Sequence, residues 1–116
     1  MNSLNFEQGD IVVAPIPFSN LVQAKIRPVL VISGKKFNSS SDDLIVLKIT
    51  SKEKNYPFDV PLNLNDLDKG KLTQESTIMV DFPIVIEKVI AQQIIGKITS
   101  QKLCEVKEKI IELYEL

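Results

Sequence analysis

The chain has 116 residues, with 14 Lys and Arg against 15 Asp and Glu, no His and one Cys. Its length fits a single domain over residues 1–116, large enough to bury a core without disulfides or metal. The lack of histidine excludes His-based triads, imidazole acid–base pairs and His-ligated zinc, so catalysis would rest on Arg, Lys, Asp, Glu, Ser, Thr or Tyr.

In chain order, residues 10–15 follow Gly9 and are rich in β-branched side chains, which predicts a first strand. Pro15 and Pro17 cannot donate to a ladder, so that strand must end there or lie at an edge. Residues 18–26 read as a connecting loop. The apolar run at 28–33 predicts a strand buried on both faces, 34–43 a polar loop, 44–49 a third strand and 57–62 a short fourth. A turn-rich stretch, 63–75, centres on Gly70, residues 76–81 form the fifth strand, 88–91 a very short one and 92–98 the last.

From Thr99 onward the period becomes helical. Leu103, Val106, Ile110 and Leu113 fall on one face, and Thr99 or Ser100 can cap the first turn. Cys104 and Ile111 are expected to widen that face, Cys104 as a small buried hydrophobe. The pattern is mainly β with a C-terminal helix, a small, strongly bent antiparallel barrel.

Charge is unevenly spread. Lys25, Arg27, Lys35, Lys36, Lys48, Lys52 and Lys54 face only Asp42, Asp43 and Glu53 within one stretch of a chain whose net charge is −1. A locally basic segment of this kind can hold phosphates. The N-terminus has no signal-peptide pattern, no apolar run reaches the ~20 residues of a membrane span, and the lone cysteine suits a reducing compartment. A cytoplasmic location with no membrane partner is expected.

Six segments stand in a familiar order: Gly9-Asp10-Ile11-Val12, residues 23–32 around Arg27-Pro28, Ile49-Thr50-Ser51, residues 56–60, Glu75-Ser76-Thr77-Ile78, and Ile95-Gly96-Lys97-Ile98. Together, from about residue 8 to the C-terminus, they resemble the MazF/PemK family of toxins from toxin–antitoxin modules. The resemblance implies an SH3-like small β-barrel that forms a homodimer and binds a cognate antitoxin. It also implies metal-independent cleavage of single-stranded RNA, with no cofactor. Some relatives on this barrel instead poison DNA gyrase, so a protein-binding module, or an inactive RNA- or antitoxin-binding homologue, is the alternative.

Carried over by residue, Arg27 matches the family's catalytic arginine and Thr50 its catalytic threonine. A planar guanidinium can hold two phosphate oxygens as charge builds on them, and a nearby hydroxyl can donate to the phosphate or protonate the leaving oxygen. Ser76 falls near the family's RNA groove, Gln23 is placed to contact RNA or cap its loop, Lys25 and Lys52 to meet phosphates, and Tyr56 to stack on a base. Phe18 and Phe58, each beside a proline, read as core. Two positions depart from the family pattern. Val22 stands where many members carry Glu, which removes an acceptor for the 2′-hydroxyl proton; Glu53 is the nearest substitute in sequence. Phe82 stands where a glutamine often follows an acidic residue.

Overall fold

Gly9, at φ +98°, turns the chain into its first strand, and Asp10 closes the turn by accepting a hydrogen bond from the Glu7 amide at 2.8 Å. The structure, a computed structural model, describes residues 5–17, 24–51 and 56–116. Its elements are β1 (Asp10–Pro17), β2 (Ala24–Val31), α1 (Lys35–Ser40), β3 (Asp43–Thr50), β4 (Asp59–Leu62), β5 (Leu67–Gly70), β6 (Ser76–Glu87), β7 (Gln93–Ile98) and α2 (Ser100–Tyr114). The strands form one antiparallel sheet in the order β4-β6-β3-β2-β1-β7-β5. The fold is mainly β with a C-terminal helix, as expected. The sheet is barrel-like but open, with β4 and β5 at its edges.

Strand alternation sorts the core into two clusters. Val12, Ala14, Val29, Val31, Leu44 and Val46 belong to one, while Ile11, Leu30, Leu47 and Ile49 belong to the other. The offset in β6 is what lets one strand serve both. Lys48 pairs with Met79 but Leu47 pairs with Pro83, leaving Val80, Asp81 and Phe82 unmatched against β3. An odd insertion reverses the sense of alternation. Ile78 and Val80 therefore join the second cluster, and Ile84 and Ile86 the first.

Helix α2 covers the second cluster. The Thr99 hydroxyl caps it by accepting from the Lys102 amide at 3.1 Å, and Leu103, Val106, Ile110 and Leu113 pack inward as their spacing predicts. Val106 is fully buried, a burial that contributes ~1.5–3 kcal/mol. Lys102 is also buried. Its ammonium donates to the Pro61 carbonyl at 2.9 Å and to Glu105 Oε1 at 2.9 Å, and lies 3.4 Å from Asp66. These contacts tie the helix to β4 and to the 3-10 turn at Leu64–Asp66.

Several expectations need correction. Cys104 is exposed and Ile111 is 49% exposed, so neither widens the buried face. Lys102 and Val106 turn their flank of the helix toward β4 and the sheet, which swings the flank bearing Cys104 outward. The polar stretch after Gly34 contains helix α1, held by the buried Asn38, whose Nδ2 donates to the Ser33 carbonyl at 2.9 Å and to the Phe6 carbonyl at 3.3 Å. The loop expected up to residue 26 has already become β2 at Ala24. The turn-rich stretch contains β5, the predicted strand at 88–91 is a 3-10 turn at Lys88–Ile90, and β6 runs on through Pro83 to Glu87. Beyond Val13, β1 pairs only with β2, so its prolines lie where one flank is open.

Glycine spacing fixes the β5 edge. Gly70 has φ +77°, and a methyl group there would collide with the backbone of Ile95 and Gly96.

An ion-pair cluster clamps β7 to the turn before β1. Lys97 Nζ lies 2.8 Å from Glu7 Oε1 and 3.4 Å from the buried Asp10. The hydrogen bond to Lys97, and then its charge, hold Glu7 below its ordinary value of 4.5. Burial draws Lys97 down, but the Glu7 hydrogen bond and the Asp10 charge outweigh it and hold Lys97 above 10.5. A lowered carboxylate stabilises the fold above 4.5 and loses that contribution as pH falls; a raised ammonium does so below 10.5 and loses it as pH rises. Denaturation curves across pH should therefore show stability declining at both limits, and Lys97→Met should flatten both limbs. Unaltered pH slopes in that variant would show that the cluster does not couple to folding.

Candidate active site

The site begins with a proline in a paired strand. Ile32 donates its amide to Ile45 on the β3 side, while Val31 accepts from Gly9 on the β1 side. By alternation Leu30 and Pro28 also turn their backbone toward β3. Pro28 has no amide hydrogen, and the β2–β3 ladder stops one residue short of it, at Val29 opposite Lys48. β2 continues upstream, paired only with β1. The two central strands thus part at Pro28.

A cleft of about 200 Å³ occupies this place, lined by Arg27, Pro28, Ile49, Thr50, Ser51, Leu72, Thr73, Gln74 and Ser76. Arg27 and Thr50 stand two residues beyond the last β2–β3 pair, Val29 and Lys48, and both line the cleft. Both are half-buried, and the Nε of Arg27 is shielded from solvent. Ser76 starts β6 one residue beyond Thr77, the partner of Thr50, and its hydroxyl donates to the Gln74 carbonyl at 3.2 Å. One guanidinium and several hydroxyls therefore border a pocket of mixed polar and apolar character, a setting that favours a small anionic group.

Of the residues singled out from sequence, Arg27, Thr50 and Ser76 meet in the cleft. Lys25, on β2 opposite Ile16 of β1, is exposed and not part of the cleft wall. Tyr56 is also outside it, 52% exposed, with its amide donating to Asp59 Oδ2 at 3.1 Å. Gln23, Lys52, Val22, Glu53 and Phe18 lie outside the described residues. Phe58 packs against the second cluster. Leu72, Thr73 and Gln74 escaped the sequence reading because nothing in a turn-rich stretch signals that it folds back on β2 and β3.

Among the described residues, the cations of the basic stretch do not gather in one patch. Arg27 enters the cleft, and Lys48 lies 4.7 Å above the Phe82 ring. Lys35 lines a separate depression with Lys88 and Lys97.

The chain is thus a small, open, barrel-like β fold whose cleft brings together a guanidinium and several hydroxyls. The chain belongs to the family described as PemK-like, MazF-like toxin of type II toxin–antitoxin systems, which it matches over residues 7–114. No curated protein matches it significantly in sequence. Among solved structures it is similar to an endoribonuclease in complex with its cognate antitoxin from a mycobacterial species, at TM-score 0.79 and 14% identity, covering 96% of each chain. It is similar to MazE–MazF from Deinococcus radiodurans at TM-score 0.78 and 20% identity, covering 98% of this chain and 99% of that one. It is also similar to Mycobacterium tuberculosis toxin MazF-mt6 at TM-score 0.74 and 22% identity, covering 92% and 97%.

If Pro28 is what parts the strands, Pro28→Ala should restore a donor facing β3. The new amide at position 28 should then be protected in hydrogen exchange, and the cleft should narrow. Exchange at the rate of an exposed loop amide would assign the parting to another cause.

Proposed function

We propose that this protein is the toxin of a type II toxin–antitoxin module and acts as an endoribonuclease on single-stranded RNA in the cytoplasm. The observation that supports this most directly is the meeting of Arg27, Thr50 and Ser76, far apart in sequence, around one cleft of about 200 Å³. In the reaction, a ribose 2′-hydroxyl gives up its proton to solvent water and attacks the adjacent phosphorus as the bond to the 5′-oxygen breaks. The products are a 2′,3′-cyclic phosphate and a 5′-hydroxyl. Arg27 holds two non-bridging oxygens as their charge grows. The Thr50 hydroxyl donates to the phosphate or to the departing 5′-oxygen, which takes up a proton. Ser76 already donates its hydrogen to Gln74, so its role is to fix the cleft wall rather than to deliver a proton.

Cleavage should persist in EDTA and leave cyclic phosphate ends. Arg27→Ala should lose ~2–4 kcal/mol of transition-state stabilisation, as when one oxyanion donor is removed, and Arg27→Lys should recover only part of it. Thr50→Ala should cost less. Mapping the ends of a long single-stranded RNA after incubation with each protein tests the set; wild-type rates in both folded alanine variants would overturn the assignment.

The same reading makes the protein a homodimer that a cognate antitoxin neutralises. An apolar groove of about 450 Å³ between α2 and the sheet supports the dimer. Ile32, Ile45, Leu47, Val80 and Ile110 line it, and Ile111 and Tyr114 are 49% and 56% exposed at its rim. Light scattering at micromolar concentration should give twice the 13.0 kDa chain mass. Ile111→Glu should return the protein to monomers, and dimers that survive this change would place the interface elsewhere.

A further inference from the structure

The cleft has a wall to which the mechanism assigns no task. Leu72, Thr73 and Gln74, from the segment joining β5 to β6, line it together with Pro28 and Ile49. Those positions divide chemically from the Arg27–Thr50 pair. Leu72 and Pro28, both only partly buried, offer apolar surface to a flat ring, and Gln74 carries a primary amide with two donors and one acceptor. The Ser76 hydroxyl, bonded to the Gln74 carbonyl at 3.2 Å, ties the backbone that carries this amide to the start of β6. At about 200 Å³ the cleft has room for one phosphate and one nucleobase.

We propose that Gln74 reads the nucleobase next to the phosphate held by Arg27, making it a specificity-determining residue of the cleft. The assignment rests on the nuclease reading above. Bases of single-stranded RNA are splayed out and read along their hydrogen-bonding edges, and an amide pairs with an edge that sets a donor beside an acceptor. A carboxylate in its place only accepts, so it matches the adjacent N1–H and N2–H donors of guanine.

The test is cleavage of a random-sequence single-stranded RNA pool by wild type, Gln74→Ala and Gln74→Glu, with the new ends sequenced. The readout is the relative cleavage of the four bases at each position, a ratio within each protein and so independent of its total rate. Wild type should show a preference beside the cut. Gln74→Ala should reduce it ~10-fold at that one position, and Gln74→Glu should redirect it to guanine. Identical base profiles in all three proteins, or a uniform loss of rate with the profile intact, would overturn the assignment while leaving the nuclease standing. No cleavage by wild type would overturn both. Because Gln74 is exposed, a matched thermal midpoint should accompany each variant.

Discussion

One missing hydrogen organises the site. Pro28 turns toward β3 with no donor, so the ladder between the two central strands ends there while β2 stays anchored on β1. Side chains that would otherwise sit in a closed sheet face open a cleft, and Arg27 and Thr50 both line it. A loop-borne arginine would need ordering before it could meet a phosphate; on a paired strand its backbone is already fixed. The same residue that interrupts the sheet thus keeps the guanidinium aligned.

The remaining architecture supports that opening. β3 and β6 border the cleft, and the offset in β6 lets that one strand contribute to both core clusters. Lys102 reinforces the arrangement from beneath. A buried ammonium is tolerated only when its protons are taken, and the Pro61 carbonyl, Glu105 and Asp66 provide acceptors from three separate elements. At the far end of β1, Lys97 performs a similar task between Glu7 and Asp10. These lysines serve the fold, which is why overall charge says little about the site.

The distribution of cations bears this out. Lys25, Arg27, Lys35 and Lys48 are close in sequence yet reach an exposed strand, the cleft, a separate depression and an aromatic ring. A field acts through distance rather than chain position, so among the described residues of the basic stretch Arg27 is the cation that lines the cleft.

By itself the sequence determined most of the strand segments, the terminal helix and its inward face, and the choice of Arg27 and Thr50 by likeness to a family. Those features are legible because they depend on local periodicity, on capping and on short residue patterns. Tertiary structure alone decided the rest. Cys104 faces outward because Lys102 claims the opposite flank of α2; β6 crosses both clusters because its offset appears only against β3; and Gln74 reaches the cleft because its loop folds back across two strands. Each of these turns on which element packs against which, and that is set by burial and hydrogen bonding between residues distant in the chain.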